Sequence, residues 1–297
     1  MTRVLVIGRT GQLARELARA PLPAGWSLEF AGRERVDLAD FAQVAAVVAE
    51  VAPDAVINAA AYTAVDRAES EPALAFAVNG AGVGALARAC ERVGAPLVHV
   101  STDYAFDGLK DAPYLESDRI GPQSTYGASK ADGEARVRAA GPHHLIVRTS
   151  WVFSPFGSNF VKTMLRLGAE RVEIRVVADQ HGAPTSAADL ARALIAMLEA
   201  VRAGRGKFGT YHCANAGETT WHGFAESIFD EARARGMPAP KRLIPITTAE
   251  YPTPAHRPAN SRLDCGALAR AFSLRMRPWR EALGDCLDDL QAGVGGA

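Results

Sequence analysis

Tyr126 and Lys130 stand four residues apart in Tyr126-Gly127-Ala128-Ser129-Lys130, just after Pro122. Four residues is about one turn of an α-helix, so phenol and ammonium share one face with about 6 Å of rise between their Cα atoms. A cation placed there favours the tyrosinate and lowers the phenol from about 10 towards working pH. A phenol so poised can give or take a proton at a carbonyl or alcohol oxygen. Thr102, in Ser101-Thr102-Asp103-Tyr104, follows the apolar run Leu97–Val100. At the carboxyl end of a strand in an open α/β sheet, where such sheets bind ligands, its hydroxyl can hydrogen-bond the same oxygen. Neither feature is specific alone. Tyr-x-x-x-Lys recurs on surface helices, and a threonine also caps strand ends.

A third feature raises the value of both. Val4-Leu5-Val6-Ile7-Gly8-Arg9-Thr10-Gly11-Gln12-Leu13-Ala14 reads as a strand, a tight glycine turn and a helix start. Gly8 permits the turn, Gly11 lets the backbone approach a pyrophosphate, and Ala14 takes the place where a third glycine often packs helix on strand. The N–H groups of Thr10, Gly11, Gln12 and Leu13 then face the phosphates at a helix N-terminus. The second strand candidate, Leu28–Ala31, leads into Gly32 and Arg33. An acidic residue at such a strand end takes the ribose hydroxyls of NAD, and an arginine suits the 2′-phosphate of NADP. Glu29 lies within the strand and Arg33 just beyond it, so the reading is NADPH preferred and NADH accepted, with Asp37 and Leu38 bordering the adenine.

The elements that must position these groups alternate. Val4–Ile7, Leu28–Ala31, Ala55–Ile57, Leu97–Val100 and Leu145–Val147 are short apolar runs of strand length. Between them, Phe41, Val44, Val48 and Val51 keep helical spacing, with Asp40 to cap and Pro53 to stop. Pro72 suits a first helical turn and Gly94 closes that helix. This alternation predicts a doubly wound parallel α/β sheet with right-handed crossovers. After about Arg148 shorter strand candidates (Val172–Val177, Tyr211–Ala214, Leu243–Ile246) mix with helices near Leu190–Ala200 and Phe224–Ala234. The expected division is a dinucleotide-binding domain over 1–150, with returning segments near 172–212 and 276–291. The remainder, 151–171 and 213–275, forms a smaller C-terminal α/β substrate lobe.

Composition excludes several alternatives. At 297 residues the chain can bury a full core, and its 33 basic residues balance 33 acidic ones, which removes the electrostatic case for a nucleic-acid partner. The longest charge-free run, Pro72–Ala87, is 16 residues, short of the about 20 a membrane span needs. The apolar start is interrupted at once by Gly8-Arg9-Thr10-Gly11, so no signal peptide is read and the expected location is the cytoplasm. Cys90, Cys213, Cys265 and Cys286 have neither disulfide nor zinc spacing, and the seven histidines show no ligand pattern, so no metal is assigned.

The glycine loop, Thr102 and the Tyr-Lys pair together resemble the extended short-chain dehydrogenase/reductase superfamily, a Rossmann-type fold. Five further blocks, in order, resemble the dTDP-4-dehydrorhamnose reductases across nearly the whole chain. They are Asn58-Ala59-Ala60-Ala61-Tyr62-Thr63-Ala64-Val65-Asp66, Ser101–Gly108, Arg148-Thr149-Ser150-Trp151-Val152, Asp179-Gln180-His181-Gly182-Ala183-Pro184-Thr185, and Arg257-Pro258-Ala259-Asn260-Ser261-Arg262-Leu263. The resemblance implies NAD(P)H-dependent reduction of the 4-keto group of dTDP-4-dehydrorhamnose, a dTDP-sugar, to dTDP-L-rhamnose. By match, Tyr126 is the proton donor, Lys130 its partner and ribose anchor, and Thr102 the polarising hydroxyl. Ala60, Ala61 and Tyr62 border the cofactor; Asp103, Tyr104 and Trp151 line the sugar, and Arg257 shapes the nucleotide-sugar pocket. Tyr62 departs from the pattern where histidine is common, and Arg9 lies inside the phosphate loop. Some members hold magnesium at a dimer contact through acidic residues. Ser186-Ala187-Ala188 lacks the glutamate this needs, so Mg2+ stays unplaced and the expected state is a monomer or a weak homodimer.

Two rivals remain at this stage. Another nucleotide-sugar enzyme of the superfamily, an epimerase or dehydratase, shares the motifs; dehydratases place an acidic pair directly after the threonine, whereas here Asp103 is followed by Tyr104 and Ala105. A non-catalytic dinucleotide-binding regulatory subunit also keeps the fold.

Overall fold

The protein is described here by a computed structural model covering residues 1–295. Its centre is a sheet of six strands, β1 (Thr2–Ile7), β2 (Trp26–Ala31), β3 (Ala55–Asn58), β4 (Leu97–Thr102), β5 (His144–Thr149) and a last strand Gly209–His212. Their spatial order is β2, β1, β3, β4, β5, then 209–212, and every neighbouring pair is parallel. The chain leaves β1 towards β2 and then crosses to β3 on the other side. That reversal makes the crevice between the carboxyl ends of β1 and β3 the ligand site expected of such sheets. Register aligns those ends: Ile7 pairs with both Ala31 and Asn58, and Thr102 with Thr149.

The inner strands β1, β3, β4 and β5 are buried on both faces, which is why each reads as an apolar run, whereas the edge strand β2 is half-buried. Leu5, Ile7, Val56 and Ile146 pack with Val44 and Val48 of α2 (Phe41–Val51), Leu86 of the helix before β4, and Val137. Val4, Val6, Ile57, Val98 and Val147 face the other way, onto Leu13 and Leu17 of α1 (Gln12–Arg19) and Leu190 and Leu194 of helix Ala187–Arg202. Asp40 caps α2 as its type predicts, its carboxylate accepting from Ala42 and Gln43 N–H groups.

After the short helix α3 (Val65–Ala68), one continuous helical run covers Pro72–Val93 as α4 (Pro72–Phe76), a π-helical turn at Ala77–Gly82 and α5 (Val83–Val93). The structure therefore carries the helix past the charge-free run, through Arg88, Glu91 and Arg92. By length and composition these 22 residues would suffice to cross a membrane, which corrects the expectation from the shorter run. In this fold the segment is a core helix, 61% of its most apolar window being buried, against α2 and α6 (Thr125–Ala140). The π turn follows from close backbone approach: a Cβ on Gly82 would lie 2.0 Å from the Leu38 carbonyl oxygen.

The lobe has its own core of Phe153, Val161, Met164, Ile174, Val176, Phe224, Ile228, Phe229, Trp279, Leu283 and Leu287. Strand Glu173–Val177 pairs with Arg242–Ile246, and helix Trp279–Gln291 packs here. From the sequence, strand Glu173–Val177 and helix Trp279–Gln291 are expected in the returning segments of the dinucleotide domain, whereas here they pack into the lobe's core. Helix Ala187–Arg202 and strand Gly209–His212 do return to the central sheet, and Leu268 of helix Gly266–Phe272 packs with them.

Candidate active site

The glycine loop runs from the end of β1 into α1. Gly8 has φ +111°, a conformation that glycine adopts without Cβ strain, and its N–H donates to the Ala31 carbonyl at 2.8 Å. Gly11 is the extended N-cap of α1, and a Cβ there would meet nothing within 4 Å. Open space above a helix start at the switch point suits a pyrophosphate. Thr10 and Gly11 are exposed, Leu13 is buried, and the Gln12 amide oxygen accepts from Asn159 of the lobe at 2.9 Å. Asn159 also N-caps helix Phe160–Glu170 and donates to the Ser154 carbonyl. The lobe is thereby tied to the loop.

At the end of β2 the charged groups are paired but wet. Arg9 meets Glu34 at 3.2 Å and Arg33 meets Asp37 at 3.4 Å, the two arginine side chains being 64% and 81% exposed. Leu38 is buried, its carbonyl under the π turn. Glu29 is taken by Arg35 at 2.7 Å.

After β3, the Asn58 side chain accepts from Ala60 N–H at 3.2 Å and donates to Nδ1 of buried His99 at 3.1 Å. Ala61 and Tyr62 follow, half-buried. Asn79, wholly buried in the π turn, clasps the Tyr62 backbone through its oxygen and its amide, and also donates to Ser129 Oγ at 3.0 Å. The Tyr62 hydroxyl donates to Glu71 at 2.6 Å. Asn79 and Ser129 went unassigned in the sequence; asparagine inside a charge-free apolar run was the signal.

The reacting side is a different environment. Ser124 caps α6 by accepting from Gly127 N–H, and Gly127 has no room for a side chain, because a Cβ would lie 2.2 Å from the Tyr104 carbonyl oxygen. This close approach brings the Tyr126 ring to 5.5 Å from the Tyr104 ring, edge-on. Burial, with Asp103 and Tyr104 alongside, pushes the Tyr126 phenol above its ordinary value, while the Thr102 hydroxyl pulls it partly back. The expected depression by Lys130 is not what this geometry gives. Lys130 is 2% exposed and donates to the Val100 carbonyl at 2.7 Å; burial lowers its ammonium to about 8 against a raising influence of Glu134.

Thr102 Oγ1 donates to Asp103 at 2.9 Å and accepts from Tyr104 N–H at 3.2 Å. Asp103 is only 3% exposed, and burial raises its carboxyl to about 6 while Ser261 and Thr102 restrain the rise. It backs Thr102 rather than lining the open cleft as expected. Arg257 donates to the Tyr104 hydroxyl at 3.2 Å and to Asp66 at 2.7 Å, closing the lobe's proline-rich segment onto the sheet side. Trp151 is half-buried, has φ +48° and stacks on Trp221 with ring centres 3.7 Å apart. Gly182, from the fourth block, is bare because a Cβ would lie 2.5 Å from the Trp151 ring. The structure thus brings Thr102, Tyr104, Tyr126 and Arg257 together. Two other clefts, of about 400 and 390 Å3, are lined by none of Tyr126, Thr102 or the glycine loop. Among the described residues no group of three or more His, Cys, Asp or Glu stands placed to hold a metal ion.

Comparison with known proteins narrows what such a site serves. The profile of one family, the RmlD substrate binding domain, matches residues 1–292. A dTDP-4-dehydrorhamnose reductase of Burkholderia thailandensis is 47% identical over 97% of this chain and 99% of its own length. One from Escherichia coli is 42% identical, covering 97% of each chain. The crystal structure of the Bacillus anthracis dTDP-4-dehydrorhamnose reductase in complex with NADP superposes with a TM-score of 0.90 at 38% identity, over 97% of this chain and all of that one.

Proposed function

The chain belongs to the RmlD family of dTDP-4-dehydrorhamnose reductases, and from that premise we infer that it reduces the 4-keto group of dTDP-4-dehydrorhamnose to dTDP-L-rhamnose with NADPH or NADH. The observation that carries this reading is the half-buried Tyr126 phenol beside Thr102, at the carboxyl edge of the sheet that also bears the glycine loop.

The loop fits a dinucleotide: Gly8 makes the turn, Gly11 leaves the approach open, and α1 offers its N–H groups to the pyrophosphate. When bound, the reduced nicotinamide supplies the hydride. Negative charge then grows on the sugar's C4 oxygen, and the chain's own residues must meet it. Tyr126 gives the proton. A raised phenol stays protonated across neutral pH, which is what a proton donor requires; burial keeps the acid loaded instead of priming a tyrosinate. Thr102 sits between Tyr126 and Asp103 and steadies the oxygen's hydrogen bonds, its orientation held by Asp103 and the Tyr104 N–H. Lys130, cationic below about 8, supplies positive charge beside the ribose and the phenol. Tyr104, Trp151 and Arg257 hold the sugar, and the remote nucleotide supplies binding energy that orients the keto carbon.

At the cofactor's adenosine end, Arg33 meets the 2′-phosphate, giving a preference for NADPH, while Asp37, Leu38, Ala60, Ala61 and Tyr62 border the pocket. We place the enzyme in the cytoplasm as a monomer or weak homodimer, and its even charge leaves no electrostatic case for a nucleic-acid partner. The test is turnover. Adding the dTDP-linked 4-ketosugar to enzyme and NADPH must consume the reduced-nicotinamide absorbance and yield dTDP-L-rhamnose. Comparable kcat/KM with the free keto sugar, or no turnover, contradicts the reading.

A further inference from the structure

Tyr126, Lys130 and Glu134 recur at four-residue intervals along α6, so they form one stripe about 12 Å long. Glu134 is fully buried. Its carboxylate is closed from two neighbouring strands. Arg148 of β5 grips it with two bonds, Nε to Oε1 at 2.8 Å and Nη2 to Oε2 at 2.7 Å, and Ser101 of β4 donates to Oε1 at 2.6 Å. Arg148 is itself 1% exposed, lies over the Phe106 ring with its guanidinium carbon 4.9 Å from the ring centre, and meets His212 at 3.5 Å. Arg138, one turn on, adds a longer contact at 3.3 Å.

The position of Ser101 gives this cluster its meaning. Val100, whose carbonyl holds the Lys130 ammonium, precedes it on β4, and Thr102 follows it. One strand therefore presents, in three consecutive residues, the anchor for Lys130, the anchor for Glu134 and the hydroxyl of the reacting site. We propose that Glu134 is a positioning residue: clamped by Ser101 and Arg148, it fixes the register of α6 on β4 and so the distance between Tyr126 and Thr102. A bare packing contact allows a helix to slide by a fraction of an ångström. A carboxylate held in three hydrogen bonds from two strands does not. A displacement of about 1 Å at a reacting centre can cost about 10²-fold in rate. The buried ion pair is then retained for geometry, since apolar residues of similar volume often serve stability as well.

The inference rests on the reductase reading, and its test separates the two. Ser101→Ala removes the strand's bond and leaves the ion pair intact. The expected result is a fall in kcat of about 10–100-fold at nearly unchanged KM for both substrates, with unchanged circular dichroism and a thermal midpoint lowered by the lost buried hydrogen bond yet still well above the assay temperature. Ser101→Thr, which restores a hydroxyl, recovers most of the rate. A second variant, Glu134→Gln with Arg148→Met, removes both charges so that neither is left buried alone, and is expected to lose kcat to a similar degree. Folded Ser101→Ala with wild-type kcat overturns the proposal, as does a folded double variant at full rate. A wild-type enzyme that does not turn over would instead refute the reductase reading itself.

Discussion

The two ends of the cleft are built from opposite materials. At the end of β2, Arg9, Arg33, Glu34 and Asp37 form ion pairs whose arginines are mostly in water. At the end of β4, Thr102, Asp103, Lys130, Glu134 and Arg148 are nearly all out of it. Exposed pairs are screened and contribute little to holding a shape. Buried ones are expensive to expose and rigid once satisfied. The contrast suits the tasks we propose for the two ends. A cofactor rim that accepts a phosphorylated or an unphosphorylated ribose needs groups able to exchange partners, whereas proton transfer needs atoms that do not move.

Breaking the buried half should have the largest consequence. Arg148→Ala leaves the Glu134 carboxylate without its main partner, and loss of one member of a buried pair costs about 3–5 kcal/mol, to be read as a lower urea midpoint. Lys130→Met comes next. With its ammonium at about 8, the wild-type rate should fall as pH rises through that value, because the neutral amine forms above it. The variant should lose about 10–100-fold in kcat, weaken cofactor binding and lack that basic limb. A wild-type profile flat from pH 7 to 9 would contradict the assignment. Burial has a third signature. Asp103, raised to about 6, binds its proton more tightly in the folded state, so its contribution to stability is complete below the unfolded value near 3.8 and is lost as pH rises through 6. Asp103→Asn should flatten the stability curve across that window. The smallest effect belongs to the exposed rim: Arg33→Ala should lower the NADPH/NADH ratio of kcat/KM by about tenfold or less and leave stability alone. An unchanged ratio would remove Arg33 from cofactor choice.

The sequence was most legible where chemistry is local. Gly8, Gly11, the apolar strands and the Tyr126–Lys130 spacing each state their role within a few residues. Trp151 and Gly182 surfaced through their blocks, although the reason, a ring lying where a Cβ would stand, is visible only in three dimensions. What stayed hidden depends on partners far apart in sequence. Glu134 looks like one more helix charge until Ser101 and Arg148 close on it. Asn79 looks like a break in an apolar run until the π turn delivers it to Tyr62 and Ser129. The direction of the Tyr126 shift differs from the sequence expectation for the same reason: helix spacing shows that Lys130 is near, but only the fold shows that burial dominates at the phenol and that the ammonium is committed to the Val100 carbonyl. Helix Trp279–Gln291 was likewise ambiguous, because an amphipathic pattern does not say which core it faces.

The central claim is that Tyr126 is the protonated donor in the step that receives hydride. Tyr126→Phe keeps the ring and removes the proton, and it should be measured in single turnover with deuterated and undeuterated NADPH. The account predicts a rate lower by about 10²–10⁴-fold, little change in cofactor or substrate affinity, and a fully expressed isotope effect. A near wild-type rate with the isotope effect still showing hydride transfer as limiting would contradict it.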